Sequence, residues 1–181
     1  MTRLAGPRVA LLPVPRAVAL AVTAADEGAV AAALADAGLR AAPGWPHRDS
    51  ADALAGPAAD PDLDTAADGT WLVVVADEVV GDCGWRGPAD DDGVVELGYG
   101  LAPSARGRGL GTEAVGVLAA WTEVQPGVRL VAAQVLVGNE PSLRLLARLG
   151  FVEQGSAPPH LRLVRGGPGR PRRVPRGRHV C

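Results

Sequence analysis

The sequence predicts a single α/β domain, in which helices pack on the faces of a sheet. Short apolar runs bounded by turn residues, at 71–75 and 94–101 among others, predict strands. Between such runs lie segments whose apolar residues recur at helical spacing, as in residues 114–121. The length of 181 residues suits one domain with a sizeable core, which the 48% of hydrophobic residues can fill.

The chain is predicted to divide into an irregular Pro/Arg arm at 1–16, a domain at 17–165 and a basic tail at 166–181. The tail is rich in Gly, Pro and Arg, cannot bury apolar surface and is predicted to be disordered. The predicted strands of the domain are 17–22, 71–75, 79–85, 94–101, 130–137, 151–154 and 161–164. Thr23-x-x-Asp26 has the pattern of a capped helix start and predicts a helix that runs to Gly38. Further helices are predicted after the loop at 105–111 and after the cap Asn139, with a short one at 49–55.

Composition excludes several function classes. A net charge of −2 and 3% aromatic residues argue against nucleic-acid binding as the main function. The cysteines, Cys83 and Cys181, have no metal-ligand spacing with the histidines, so no metal is expected. A cytoplasmic protein without a membrane span fits best. An apolar run near the N-terminus also resembles a signal peptide, although Pro13, Pro15 and Arg16 interrupt it.

The most informative stretch is A-R-G-R-G-L-G-T-E-A-V, residues 105–115, between a predicted strand and a predicted helix. Cations are unfavourable at a helix N-terminus, so Arg106 and Arg108 need a reason to be there. A strand, a glycine-rich turn and a helix together present backbone N–H groups to an anion such as a phosphate. The stretch lacks the Gly-Lys-Ser/Thr of a Walker loop and the spacing of the dinucleotide fingerprint.

Two segments resemble motifs of the GNAT superfamily of N-acetyltransferases. V-E-L-G-Y-G-L-A-P-S-A-R-G-R-G-L-G-T-E-A-V, residues 95–115, resembles the acetyl-CoA-binding motif, and G-N-E-P-S-L-R-L-L-A-R-L-G-F, residues 138–151, resembles the second motif. G-D-C-G-W-R-G-P, residues 81–88, is similar to the branch that includes acetyltransferases of ribosomal-protein N-termini. The resemblance covers about residues 17–165. It implies a mixed, mostly antiparallel sheet with a splayed strand pair that forms the acetyl-CoA cleft.

The resemblance implies acetyl-CoA as co-substrate and transfer of its acetyl group to a primary amine by direct attack. A bulge at Gly98 or Gly100 is expected to free the N–H of Leu101, or of a neighbour, for the thioester oxygen. The pyrophosphate is expected on the loop amides, with two arginine side chains assisting. The cofactor-binding residues expected in this way are Leu101, Arg106, Gly107, Arg108, Gly109, Leu110, Gly111, Thr112, Asn139 and Arg144.

Two residues are candidates for acid and base chemistry. Strand alternation places Glu96 on one face with Val94, Gly98 and Gly100, as an acid at the edge of an open cleft floor, and we expect it to act as general base. Ser142 matches the serine that the ribosomal-protein branch carries three residues after the Asn, and we expect it to protonate the thiolate. Plain alternatives remain for Glu96 (a solvated residue) and Ser142 (a capping hydroxyl).

Other assignments stay open at this stage. Asn139 fits a plain helix cap as well as a contact to the pantetheine arm, and Arg144 with Arg148 fits either solvation or a 3′-phosphate contact. Trp45, Pro46, His47 and Trp85 are candidate walls of the acceptor pocket, although His47 fits an exposed loop residue better. Tyr99 and Phe151 are expected in the core. Cys83 is a remote candidate for an acyl carrier, because nothing near it in sequence would lower its pKa.

The acceptor is not defined by the sequence, which is compatible with a small-molecule amine or a protein N-terminus, in a monomer or a homodimer. Two alternatives come from other classes of function. One is a catalytically silent acyl-CoA-binding module that regulates a partner. The other is an RNA-associated module that acts through the basic tail.

Overall fold

In the computed structural model, which describes residues 3–166, these residues form one mixed sheet of nine strands with six α-helices. The strands are Leu4–Ala5 (β1), Ala10–Pro13 (β2), Arg40–Ala41 (β3), Thr70–Val75 (β4), Glu78–Trp85 (β5), Val94–Leu101 (β6), Leu130–Leu136 (β7), Val152–Ala157 (β8) and His160–Gly166 (β9). The helices are Arg16–Thr23 (α1), Glu27–Asp36 (α2), Ser50–Ala53 (α3), Ala55–Ala59 (α4), Leu110–Thr122 (α5) and Glu140–Arg148 (α6).

The strand order is β1-β2-β4-β5-β6-β7-β9-β8, with β3 paired to β5 outside this path. Neighbours along the path are antiparallel except β6 and β7, and the short β3 pairs with β5 in parallel. The predicted α/β class with a mostly antiparallel sheet is therefore confirmed.

The sheet opens into a fork between β6 and β7. The two strands pair in parallel from Val94↔Leu130 to Leu97↔Ala133, and no further pairs follow between them. On its other edge, β6 stays paired with β5 as far as Leu101. The predicted splay is thus present, and it begins immediately after Leu97.

Opposite faces of β5 pack against different parts of the chain. Cys83 is paired with Trp71, whose ring packs edge-on against Trp121 of α5, with ring centres 5.4 Å apart. The preceding residue, Asp82, points to the opposite face, because successive side chains of a strand alternate, and there it contacts the segment that leads into α3. Helices therefore cover both faces of the sheet.

Two predictions at the N-terminus were wrong. The arm at 1–16 is not irregular: β1 and β2 lie within it, and β2 pairs with β4, so that Leu11 is fully buried. Residues 17–22 are not a strand but most of α1. The alanines favour a helix, and packing of α1 against α2 and α4 buries four of its apolar residues. The apolar pattern alone did not distinguish a strand from a buried helix.

Most other boundaries agree within one or two residues. The predicted capped start at Thr23 was wrong: Thr23 ends α1, and Asp26 caps α2 by accepting from the amide of Ala29 at 2.9 Å. Strand β8 runs to Ala157, three residues beyond its predicted end. None of the helices in residues 3–166 is long and apolar enough to cross a membrane. The predicted disorder of the tail falls on residues outside the described range, apart from Gly166, which ends β9.

Candidate active site

Six consecutive amides lack a hydrogen-bond acceptor within the described residues where the glycine-rich loop enters α5. The turn hydrogen bonds before the loop end with the amide of Arg106 on Pro103 O at 3.3 Å. They resume with the amide of Glu113 on Gly109 O at 3.1 Å. The amides of residues 107–112, between these two, find no acceptor within the described residues, and the first N–H groups of any helix lack a helical partner. The segment is therefore suited to binding an anion such as a phosphate, as the sequence predicted.

The loop adopts this shape because of two glycines. Gly107 and Gly109 have φ values of +73° and +78°, in the left-handed region that glycine enters without strain. The four residues from Arg106 to Gly109 are exposed, while Leu110 and Gly111 are buried at the start of α5. A Cβ on Gly111 would lie 2.9 Å from Leu101 Cδ1, so Gly111 allows α5 to pack closely on the end of β6.

Three arginines surround the loop, one more than the sequence predicted. Arg106 Nε donates to the carbonyl of Leu101 at 3.0 Å, which ties the loop to the end of β6. Arg8, from the turn between β1 and β2, donates from Nη1 to the carbonyl of Arg108 at 3.0 Å. The sequence does not reveal this third arginine, which lies in the segment predicted to be an irregular arm. Arg8 comes close to the loop only because β2 pairs with β4.

Glu113 joins this N-terminal turn to α5. Its carboxylate accepts from the amides of Arg8 and Val9 and lies 2.9 Å from Arg8 Nε, and its side chain is only 12% exposed. Burial raises the pKa of Glu113, but the two amides and the guanidinium lower it by more, so that it falls below the ordinary value of 4.5. Glu113 therefore fixes one side of the loop.

We predict that Glu113→Gln lowers the free energy of unfolding at pH 7 by about 2 kcal/mol. The reason is that the Glu113 carboxylate accepts hydrogen bonds from the amides of Arg8 and Val9 and pairs with the Arg8 guanidinium. The contribution of Glu113 is fully present above the carboxyl's unfolded pKa, near 4.5. It is lost as the pH falls through the lower folded value, so the difference between variant and parent shrinks in acid. Thermal melts from pH 7 to pH 3 test this, with Glu140→Gln as control, since Glu140 forms an exposed pair with Arg144. A difference that is constant with pH would contradict it.

The amide of Leu101 lies in the fork, at the position where the family resemblance implies a backbone donor to the thioester oxygen. The amide of Ala102 donates to Val80 O at 2.9 Å, toward β5. Because N–H directions alternate along a strand, the amide of Leu101 points the other way, toward β7, where pairing has ended. The predicted bulge at Gly98 or Gly100 is absent: the register of β5 and β6 is continuous from Gly81↔Leu101 to Trp85↔Leu97. The divergence of β7 is what leaves this amide unpaired.

Glu96 lies at the base of the fork, one residue before the last paired position of β6. Its Oε2 accepts from Gln134 Nε2 of β7 at 2.8 Å, and its Oε1 lies 3.8 Å from Arg86 Nε. The side chain is 28% exposed, so it is partly shielded and still open to solvent or ligand. The carboxylate is held at the edge of the fork, where the sequence predicted an acid.

The expected open floor beside Glu96 is covered by side chains. A Cβ on Gly98 would lie 3.0 Å from Arg86 Nε, and one on Gly100 would overlap the ring of His47. The two glycines therefore do leave space on this face of β6, but Arg86 and His47 occupy it. This corrects the expectation that the glycines leave the cleft floor bare.

The start of α6 follows β7, which is the second strand of the fork. Asn139 caps the helix, with Oδ1 accepting from the amide of Ser142 at 3.3 Å, which confirms the capping role. The Tyr99 hydroxyl is buried and makes no hydrogen bond of normal geometry within the described residues. Burial raises the pKa of Tyr99, and the neighbouring Ser142 hydroxyl lowers it by less, so Tyr99 and Ser142 lie close together. Arg144 is exposed and 3.5 Å from Glu140.

The sequence analysis missed a buried polar cluster on the same face as Glu96. Asp82 is 2% exposed, and its Oδ2 accepts from Ser50 Oγ at 2.6 Å and from Trp45 Nε1 at 3.0 Å. His47 Nε2 lies 3.2 Å from the same oxygen. One signal could have found this cluster: Asp82 is a charged residue within the apolar strand V-V-G-D-C-G-W.

A cavity of about 700 Å³ opens beside this cluster. Of the four candidate wall residues, His47 and Trp85 line this cavity and Trp45 and Pro46 do not. The His47 side chain is 8% exposed, so the expectation of an exposed loop residue was wrong. The Trp85 ring also packs on Trp121 and donates to Thr122 Oγ1 at 2.8 Å. Cys83 is buried, and burial together with the charge of Asp82 strongly raises the pKa of its thiol, which is unsuited to carrying an acyl group.

Solved acetyltransferases share this arrangement of strands and helices. The ribosomal-protein-S5-alanine acetyltransferase of Vibrio fischeri superposes with a TM-score of 0.66 at 16% identity, covering 93% of this chain and 98% of that one. The microcin C7 self-immunity acetyltransferase MccE, solved with acetyl-CoA and AMP, gives 0.62 at 14% identity, covering 89% and 93%. At these identities the comparisons establish the fold, which is that of an acetyltransferase.

Sequence comparison establishes the family. Residues 16–152 match the model of the acetyltransferase (GNAT) domain, so the chain belongs to the GNAT acetyltransferase family. The protein p20 of Bacillus licheniformis, described as an uncharacterized N-acetyltransferase, is 33% identical over 84 residues, 46% of this chain and 47% of p20. The chain spans about half the length of the curated relatives it matches.

Proposed function

We propose that the protein transfers the acetyl group of acetyl-CoA to a primary amine by direct attack, without a covalent enzyme intermediate. The observation that carries the proposal is the run of unpaired amides at residues 107–112 beside a fork in the sheet. An anion-binding helix start next to an unpaired strand edge suits a ligand that has a diphosphate and a polar arm. MccE, a structural neighbour, was solved with acetyl-CoA.

The residues present fit acetyl-CoA in three ways. The amides of residues 107–112 would bind the diphosphate, and Arg106 and Arg108 would add positive charge. The amide of Leu101, directed into the fork, would donate to the thioester oxygen and stabilise the negative charge that develops there, an effect worth about 3 kcal/mol. Asn139 would contact the pantetheine arm, and Arg144 would contact the 3′-phosphate from the exposed side of α6.

In the transfer step, the amine nitrogen attacks the thioester carbon, the new C–N bond forms, and the C–S bond breaks. Glu96 would accept the proton that the amine loses, directly or through water. Its carboxylate is held by Gln134 from the opposite strand of the fork. A positioned base of this kind contributes about 10²–10⁴-fold.

The departing thiolate needs a proton, for which Ser142 is the candidate. Tyr99 lies beside Ser142, and its raised pKa keeps the phenol protonated at neutral pH. This assigns Ser142 a second role besides its place in the first turn of α6.

Ser142→Ala is expected to lower kcat about tenfold, with no change in KM for acetyl-CoA, because a thiolate is a good leaving group and depends only partly on an acid. Steady-state kinetics by thiol release measures this. Ser156→Ala, on the exposed strand β8, is the matched control. A loss of less than about threefold would remove Ser142 from the mechanism.

The proposed function is tested by assaying CoA thiol release from acetyl-CoA over a panel of primary amines. The panel should include amino acids, polyamines, aminoglycosides and peptides with free N-termini. Release that depends on one amine class, with the acetylated amine detected by mass spectrometry, supports the proposal. Binding of acetyl-CoA without release over the whole panel would instead indicate a silent acyl-CoA-binding module.

A further inference from the structure

We propose that the cavity beside Asp82 is the acceptor site, that it selects amines carrying a second positively charged group, and that Asp82 binds that second group. The inference rests on the proposed acetyl transfer and specifies its substrate class. Its basis is the orientation of one buried carboxylate, the charge of the cavity wall and the position of both relative to the fork.

The Asp82 carboxylate is held through one oxygen. Ser50 Oγ and Trp45 Nε1 donate to Oδ2, and His47 Nε2 lies 3.2 Å from it. Oδ1 has no partner within residues 3–166, and Asp82 is among the residues that line the cavity. A buried carboxylate is costly unless both oxygens are satisfied, so a cationic ligand would complete its coordination.

The His47 ring lies beside this carboxylate. Its Nδ1 accepts from the amide of Asp49 at 3.3 Å, which places the proton of the neutral ring on Nε2, facing Asp82. The side chain is 8% exposed, and Nε2 makes no hydrogen bond of normal geometry to any described residue. The ring lies over Gly100, so the glycine that the sequence interpreted as a bulge residue makes room for His47.

Carboxylates predominate in the cavity wall. Asp49, Asp52 and Asp68 line it at exposed positions, and Asp52 and Asp68 form no ion pair within the described part of the chain. Arg86 is the one guanidinium among the lining residues. A cleft lined mainly by one sign of charge concentrates ligands of the opposite sign.

The nitrogen bound by Asp82 would not be the nitrogen that attacks. A carboxylate stabilises the ammonium form of an amine, whereas attack on the thioester requires the neutral amine. Asp82 is paired with Gly100, next to Leu101, while Glu96 lies further along the same face of the sheet. The two carboxylates can therefore serve different nitrogens: Asp82 binds a charged group, and Glu96 accepts a proton from the reacting group.

The test compares acceptors that differ in charge, using the full chain and the thiol-release assay. The panel pairs 1,4-diaminobutane with butylamine, and an alanyl-arginine amide with an alanyl-alanine amide. The parent protein should show kcat/KM about tenfold or more higher for one dication than for its monovalent match, the value expected for one charged hydrogen bond. Whether 1,4-diaminobutane or the peptide shows the preference identifies a polyamine or a protein N-terminus as the source.

Two variants test which residues cause the preference for acceptors that carry a second positive charge. Asp82→Asn should remove it through KM, leaving KM for acetyl-CoA unchanged. If Asp82→Asn fails to fold, Asp52→Asn/Asp68→Asn at the exposed rim should still raise KM for the preferred dication and weaken its salt dependence. The matched control, Asp36→Asn/Asp91→Asn, changes the net charge equally at exposed positions away from the cavity and should leave KM unchanged.

The outcomes separate this inference from the proposed function. Thiol release with equal kcat/KM for dications and monovalent amines would overturn the inference and leave acetyl transfer intact. A dication preference that both the Asp82 and the rim variants retain would also overturn it. Absence of thiol release with every amine, in a protein that binds acetyl-CoA, would contradict the inference and the proposed function together.

Discussion

Glu96→Gln is expected to lower kcat by about 10²-fold or more, the contribution of a positioned general base. Glutamine keeps the size of the side chain and an oxygen that can accept from Gln134, so the geometry of the fork should persist. What the variant loses is the ability to take a proton from the attacking amine. KM for acetyl-CoA should change little, because the proposed cofactor contacts lie on the loop, on Leu101 and on α6.

The diagnostic measurement is the rate against pH. The profile of the variant should differ from that of the parent protein, because only the parent has a carboxylate at this position that can accept the proton of the amine. Glu153→Gln on the exposed strand β8 removes a carboxylate from outside the fork and should leave the profile unchanged. A variant that retains both the rate and the pH profile of the parent would show that Glu96 is a solvated residue, the plain alternative that the sequence left open.

Gly109→Val is expected to weaken acetyl-CoA binding by at least about tenfold. At φ +78° a β-branched side chain is strained by about 1–2 kcal/mol, and relief of that strain would turn the amides of residues 107–112 away from one another. A Cβ at this position would also approach Arg8 Nη2 to 3.3 Å and disturb the guanidinium that braces the loop. Isothermal titration with acetyl-CoA measures the effect.

Gly38→Val is the matched control for this variant. Gly38 has a similar φ of +70°, with no atom within 4 Å of a Cβ built there, and it lies just after α2. Both variants should lose similar stability in thermal melts, but only Gly109→Val should lose acetyl-CoA affinity. Equal affinity in the two variants would mean that the glycine-rich loop is a structural turn without a role in binding.

The sequence was most informative where local chemistry determines structure. The glycine-rich loop, the strand before it and the Asn139 cap depend on residues close together in the chain, and their positions were predicted within one or two residues. Residues 17–22 were assigned wrongly because an Ala/Val run satisfies either a buried helix or a buried strand. Its packing against α2 and α4, which the sequence does not reveal, stabilises the helix.

The parts of the site that were missed depend on contacts distant in sequence. Arg8 lies 100 residues from the carbonyl that it binds, and Ser50 lies 32 residues from Asp82. The sequence predicted Gly100 as a bulge residue, and no bulge forms there. A glycine is nevertheless needed at this position, because the ring of His47 occupies the space that a Cβ would fill. The isolated charge of Asp82 was visible in the sequence, but its donors were not.

Acetyl-CoA titration of the full chain tests the central claim most directly. If the amides of residues 107–112 and the fork form the binding site, calorimetry will show saturable binding to one site. Ligand at about a hundred times Kd will stabilise the folded protein by about 2.7 kcal/mol, a rise in Tm of about 5–10 °C. A folded protein whose melting temperature does not move in millimolar acetyl-CoA, and which releases no binding heat, would contradict the account.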